Sequence, residues 1–97
     1  MPDMVNHPPH YTQGGIECID AIRAACEGRD AYEGYLTGQG IKYIWRYPFK
    51  NGLEDLRKAE FYLRRLIEER EEALHKFQEL AYDIARAAYL EEEADET

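Results

Sequence analysis

Residues 53–90, LEDLRKAEFYLRRLIEEREEALHKFQELAYDIARAAYL, decide the fold class of this chain. The stretch contains no proline and no glycine, and it opens with Glu54 and Asp55, acids that suit the first turn of a helix. One helix of this length would extend about 57 Å, whereas a small domain is about 30 Å across. The helix therefore either breaks near the charged residues 68–72 or continues, with its second half packed on another subunit.

Apolar residues along this stretch alternate steps of three and four, which is the spacing of a heptad seam. The seam keeps its phase across the charged run, which favours the continuous helix. We therefore expect the chain to assemble as a homo-oligomer, its oligomerisation helix and acidic tail lying in residues 70–97. The seam positions, with one polar interruption at Arg70, are Leu56, Ala59, Leu63, Leu66, Arg70, Ala73, Phe77, Leu80, Ile84 and Ala87.

The chain before this helix begins with residues 1–15, which hold three of the four prolines and are predicted to form a loop. A first helix is predicted over residues 16–26, with Ile16, Ile19 and Ile22 on its apolar stripe. Gly28 is expected to end it. No signal for a β-hairpin is recognised anywhere in the chain.

A second helix follows, with Asp30 as a plausible N-cap. Three glycines between residues 34 and 40 weaken its first half, so a regular helix is expected only over residues 39–47. Pro48 should stop it, because the residue before a proline is pushed out of helical geometry. These patterns predict an all-α fold: a small helical domain with two short helices and one long C-terminal helix, its core in residues 16–69.

The composition of the chain argues against nucleic acid polymers and membranes as binding partners. The net charge of −8 argues against binding to a nucleic acid polymer or an anionic membrane, and five of the 20 acids lie in residues 91–96. No apolar run is long enough to span a bilayer, and the N-terminus lacks the apolar core of a signal peptide. Cys18 and Cys26 are expected to be reduced and unpaired, as in cytoplasmic proteins.

A basic and aromatic stretch stands out in this acidic chain. Residues 38–50, GQGIKYIWRYPFK, place Lys42, Arg46 and Lys50 among aromatic rings that include Tyr43. Lys42 and Arg46 are four residues apart and share one helix face. Cations beside aromatic faces suit a ligand that carries phosphate groups and a planar ring, so the stretch predicts nucleotide binding.

The N-terminal loop offers a second set of candidate ligands, Asn6, His7, His10 and Tyr11. Prolines between them would reduce the entropy lost when the loop orders on a ligand. Asn6 can bind a base edge, the two histidines can bind phosphate, and Tyr11 can stack. The alternatives are a disordered terminus or a zinc site, but no cysteine or carboxylate cluster accompanies the histidines, so no metal is predicted.

Two segments, NHPPHYTQGGIECIDAI at residues 6–22 and GQGIKYIWRYPFKNGLEDLRKAEFYLRRLIEE at residues 38–69, resemble a known family. They are similar to small phage proteins grouped as a SaV-like domain of unknown function. The shared motifs, in order, are N-H-P-x-H-Y, I-K-Y-x-x-R and D-L-x-K-A-x-x-Y-L-x-x-L-I. The family often has Gly-Asn before the second motif, where this chain has Gly38-Gln39-Gly40.

The resemblance implies a ligand site made of seven residues and a place in the cytoplasm of an infected bacterial host. The family includes a short podovirus protein described as a nucleotide kinase that acts on deoxynucleoside monophosphates. Carried over to this chain, the implied site residues are Asn6, His7, His10, Tyr11, Lys42, Tyr43 and Arg46. Lys50 joins them on charge alone.

Three functions fit these observations. The first is sequestration of a nucleotide immune signal, such as an ADP-ribose derivative or a cyclic dinucleotide, without a cofactor. The second is a nucleotide kinase, which would need ATP and Mg²⁺ but has no phosphate-binding P-loop in this sequence. The third is inhibition of a host protein. Whether the chain is an enzyme stays open at this point.

Overall fold

A computed structural model describes residues 11–95 of the 97-residue chain. The order of elements is β1 (Thr12–Gln13), β2 (Ile16–Glu17), α1 (Cys18–Cys26), α2 (Ala31–Arg46) and α3 (Leu53–Asp95). The prediction of an all-α fold with two short helices and a long C-terminal helix is confirmed. The chain divides into a first unit, Met1–Ile67, and a second unit, Glu68–Thr97.

The structure contains a small β-hairpin before the first helix. Strand β1 pairs antiparallel with β2, with Thr12 opposite Glu17 and Gln13 opposite Ile16. The connection is Gly14-Gly15, and both glycines have positive φ (59° and 77°), as a two-residue type I′ turn requires. The expectation of no hairpin was therefore wrong. Because Ile16 and Glu17 form strand β2, α1 begins at Cys18 and not at the predicted residue 16.

Helix α1 packs on α2 through a face that the sequence identified only in part. Cys18 is buried and Ile22 is half-buried, whereas Ile19 is 73% exposed. The thiol of Cys26 donates to the carbonyl oxygen of Gly34 at 3.1 Å. A Cβ added at Gly38 would lie 3.1 Å from Cγ2 of Ile22, so the glycine allows a close approach of the two helices.

Helix α2 begins eight residues earlier than the regular helix that the sequence predicted. The Asp30 side chain accepts a hydrogen bond from the backbone N–H of Glu33 at 2.8 Å, which confirms it as the N-cap. Packing against α1 outweighs the low helix propensity of the glycines at residues 34–40. The helix ends at Arg46, one residue before the predicted end at Tyr47 and two before Pro48.

A tight turn joins α2 to α3. The N–H of Phe49 donates to the carbonyl of Arg46 at 2.9 Å, and the N–H of Gly52 donates to the carbonyl of Tyr47 at 3.0 Å. Gly52 has a φ of 53°, which favours glycine at this position. Helix α3 then begins at Leu53, as predicted, and continues without a break through the charged run.

The two units differ in burial. The buried residues of the described chain all lie in the first unit; the apolar ones are Cys18, Leu36 and Ala59, and the charged ones are Arg46 and Asp55. Every residue from 70 to 94 is exposed. None of the helices within residues 11–95 has an apolar stretch that could span a bilayer.

Candidate functional site

The candidate site is centred on an ion pair between the last residue of α2 and the first turn of α3. The Nε of Arg46 donates to Oδ2 of Asp55, and its Nη2 donates to Oδ1, both at 3.2 Å. Arg46 is 7% exposed and Asp55 is 0% exposed. Two parallel hydrogen bonds fix the plane of the guanidinium group, so the pair locks the end of α2 onto the start of α3.

Asn51 completes the environment of the Asp55 carboxylate. Its backbone N–H donates to Oδ2 and its side-chain Nδ2 donates to Oδ1, both at 3.2 Å. With the two bonds from Arg46, the carboxylate accepts four hydrogen bonds, which matches its lone-pair capacity. Neither Asn51 nor Asp55 is among the residues that the sequence predicts for the site. The available signal was the Asn-Gly turn that places Asn51 four residues before a first-turn acid.

The charged forms of both partners are favoured despite burial. Burial alone would raise the pKa of Asp55, but the hydrogen bonds from Arg46 and Asn51 outweigh it and hold that pKa below its usual value. Burial would likewise lower the pKa of Arg46, but the bonds to Asp55 and Tyr11 raise it. The pair therefore stays ionised at neutral pH.

Tyr11 joins the N-terminal segment to this pair. The Nη1 of Arg46 donates to the Tyr11 hydroxyl at 3.1 Å. A second link lies nearby, since the side-chain amide of Gln13 donates to the carbonyl oxygen of Trp45. Two predicted site residues, Tyr11 of the N-terminal segment and Arg46 of α2, are thus in direct contact.

Three cations surround the ring of Tyr43. The Arg46 Cζ lies 4.7 Å from the ring centroid, and the ammonium nitrogens of Lys42 and Lys58 lie 5.0 and 5.5 Å from it. Cation–π attraction at these distances holds positive charge close together, which mutual repulsion would otherwise disperse. Lys58 lies on α3; it belongs to the same basic region of the sequence, although it is not one of the eight predicted ligand residues.

Tyr62 of α3 extends this aromatic surface. Its ring stacks on Tyr43 with centroids 5.9 Å apart and an interplanar angle of 8°. Tyr35 and Phe61 meet Tyr62 edge-on at 6.1 and 5.2 Å, and these two side chains are 53% and 57% exposed. A hydrogen bond with Tyr35 and burial both raise the pKa of Tyr62, so the Tyr62 phenol stays neutral at physiological pH.

Lys42 and Lys58 are more available to an anionic ligand than Arg46 is. Lys58 pairs with Glu54 at 3.4 Å, but the two side chains are 41% and 68% exposed, so the pair is weak. Lys42 is half-buried and lies beside Cys18; burial raises the pKa of that thiol, and the charge of Lys42 lowers it by less. An anion could therefore bind either ammonium group, whereas the guanidinium group of Arg46 is committed to Asp55.

Four of the eight predicted site residues lie together in the structure: Tyr11, Lys42, Tyr43 and Arg46. Asn6, His7 and His10 lie outside the described residues. Lys50 is exposed in the turn after α2, and none of the described contacts around Tyr43 includes it. Among residues 11–95, no three His, Cys, Asp or Glu side chains lie close enough to hold a metal ion.

A family model with the description "protein of unknown function", DUF3310, matches residues 5–64 of the chain. The chain belongs to this family. The DUF3310 match includes the Arg46–Asp55 pair and the ring of Tyr43, and it ends within α3. No curated protein and no solved structure matches the chain.

Proposed function

We propose that this chain binds a phosphate-bearing nucleotide at the surface formed by Lys42, Tyr43, Lys58 and Tyr62. The observation that carries the proposal is the convergence of three cations on one tyrosine ring in a chain whose net charge is −8. Local positive charge of this kind attracts an anion that the rest of the acidic surface repels.

Each group in the proposed site has a separate role. The ammonium groups of Lys42 and Lys58 bind phosphate oxygens, and Lys58 exchanges its weak bond to Glu54 for the ligand. The exposed rings of Tyr35 and Phe61 provide flat apolar surface for a base. Arg46 acts as a positioning residue, because its bonds to Asp55 and Tyr11 fix the elements that carry the lysines.

We propose sequestration, with the ligand a nucleotide immune signal of the ADP-ribose or cyclic-dinucleotide type, in the cytoplasm of an infected host. The resemblance to small phage proteins supports this setting. One observation favours it over the kinase: Asp55, the buried acid beside the cluster, uses its oxygens to accept four hydrogen bonds. Those oxygens are not available to a Mg²⁺ ion between phosphate groups.

The first experiment is a binding screen of the full chain against nucleoside monophosphates, ADP-ribose and cyclic dinucleotides, read by thermal shift and calorimetry. Ligand at 100 times its dissociation constant should stabilise the protein by about 2.7 kcal/mol. Lys42→Ala and Lys58→Ala should each weaken binding about ten- to a hundredfold, the loss of one charge-assisted hydrogen bond. Arg86→Ala, which removes an exposed charge outside the DUF3310 match, is the matched control.

The outcomes separate the three functions. Sequestration predicts stoichiometric binding and recovery of unchanged ligand after denaturation. A kinase would instead consume ATP in the presence of Mg²⁺ and a monophosphate. If no nucleotide raises the melting temperature, the host-protein inhibitor becomes the better hypothesis. If both lysine variants bind like the original chain, the nucleotide binds elsewhere and the proposed site is wrong.

A further inference from the structure

The second unit has an apolar stripe that no described residue covers. Leu74, Phe77, Leu80 and Ile84 are 56%, 67%, 59% and 61% exposed. Their spacing places them on one side of α3, together with alanines at 73, 81, 87 and 88. The stripe lies beyond residue 64, so the DUF3310 match does not include it.

The stripe has the register of a coiled-coil seam. Phe77 and Ile84 occupy the a positions, and Ala73, Leu80 and Ala87 occupy the d positions. The flanking g positions carry Lys76 and Asp83, which have opposite charges. The flanking e positions, residues 74, 81 and 88, are all apolar, so charge is confined to one edge of the seam.

We propose that this stripe binds the same stripe of a second copy of the chain, with the two helices antiparallel. In the register centred between Phe77 and Leu80, the Phe77 of one copy packs on the Leu80 of the other. The next layer places Ile84 against Ala73, so a large side chain meets a small one on each side of the centre. The arrangement is symmetric, and every layer occurs twice.

Charge complementarity selects this orientation and this register. In antiparallel pairs the g positions of the two helices face each other, so Lys76 of each copy meets Asp83 of the other. A shift of one heptad in one direction would place Lys76 against Lys76, and a shift in the other direction would place Asp83 against Asp83. Both shifted registers replace two attractive pairs with like charges.

The parallel alternative lacks these pairs. Two parallel helices in register would place Arg70 against Arg70 within the seam, which buries like charges together. Lys76 would face Ala81, and Asp83 would face Ala88, so neither charge would have a partner in the other copy. In the single chain Lys76 bonds Glu72 at 3.1 Å, but both side chains are exposed, and this weak pair does not prevent the exchange.

The register is tested by reversing charges in the full chain and measuring the dimer dissociation constant by sedimentation equilibrium. Lys76→Asp and Asp83→Lys should each weaken the dimer about tenfold or more, because each creates two repulsive pairs. The double variant K76D/D83K should restore the original constant. Arg86→Asp makes the same charge change at a position outside the seam and its flanking positions, and it should leave the dimer dissociation constant unchanged. A monomer at high protein concentration, or a double variant no better than either single one, would overturn the proposal.

Orientation is tested separately by disulfide cross-linking. Ala73→Cys and Ile84→Cys chains, mixed and oxidised, should give a cross-linked heterodimer, while each alone should not cross-link to itself. In the antiparallel register two copies of residue 73 lie about 16 Å apart along the helix axis, beyond the reach of a disulfide. The original chain, with buried Cys18 and half-buried Cys26, is the control. Self-cross-linking of Ala73→Cys would establish the parallel arrangement and refute ours. No nucleotide is needed, so this result is independent of the proposed function.

Discussion

The two units of this chain obtain their structure by different means. In the first unit, a buried arginine–aspartate pair and close contact between α1 and α2 accompany a small set of buried apolar residues. In the second unit every residue from 70 to 94 is exposed, and the Glu72–Lys76 ion pair and the His75–Glu79 contact each join residues one helical turn apart. The first unit thus depends on specific polar geometry, and the second depends on helix propensity and a periodic surface.

The largest expected effect follows from removing the buried cation. Arg46→Ala leaves the Asp55 carboxylate buried without its counter-charge, which is among the most damaging changes a fold can suffer. We expect the melting temperature of the first unit to fall by more than about 10 °C. Fluorescence of Trp45, the only tryptophan in the chain, follows the unfolding of this unit directly.

Arg86→Ala is the matched control for this comparison. It removes the same side chain from the exposed face of the second unit, and we expect a change of no more than about 2 °C. Equal effects of the two substitutions would mean that the Arg46–Asp55 pair does not stabilise the first unit. The result also bears on binding assays, because loss of binding in Arg46→Ala would report on loss of folding and not on a lost ligand contact.

Acid should affect the first unit through the same pair. The folded pKa of Asp55 lies below its ordinary value of 3.8. Between these two pKa values the unfolded chain binds more protons than the folded chain, so the pair contributes its full stabilisation above the ordinary value. The stabilisation is then lost as the pH falls through the folded pKa. We expect the Trp45 melting temperature to change little on this account between pH 7 and pH 5, and to fall by several degrees below pH 4.

NMR titration of the Asp55 carboxyl carbon checks this prediction without any substitution. Its midpoint should lie below 3.8, the ordinary value for an aspartate. An Asp55 midpoint at or above 3.8 would show that burial outweighs the hydrogen bonds from Arg46 and Asn51.

The sequence predicted helices correctly where the residues that start, continue or end a helix lie within the helix itself or next to it. The absence of glycine and proline predicted α3, Asp30 predicted the start of a helix, and Pro48 predicted its end. The β-hairpin was missed because two-residue strands are too short to show an alternating pattern. The start of α2 was misplaced because contact with α1, a tertiary effect, outweighs the low helix propensity of its glycines.

The candidate site was predictable only in its composition. Lys42, Tyr43 and Arg46 were found because they cluster in an acidic chain, and Tyr11 because it follows a proline-rich segment. The sequence did not reveal that Arg46 is buried, since its partner Asp55 lies on another helix and a basic run normally indicates a solvated surface. The contribution of Lys58 depends likewise on how α2 and α3 pack.

The smallest expected effect tests how closely α1 and α2 pack in the first unit. Gly40→Ala adds a methyl group with no atom within 4 Å, so we expect it to stabilise α2 by about 0.5–1 kcal/mol. Gly38→Ala gains the same helix propensity but places its Cβ 3.1 Å from Cγ2 of Ile22, and the strain should cancel or reverse that gain. Thermal unfolding of both variants, followed through Trp45, gives the difference directly. Equal stabilisation at the two positions would mean that Ile22 moves away from the added methyl group at little cost in free energy. The packing between α1 and α2 would then tolerate substitution as well as the exposed surface of the second unit does.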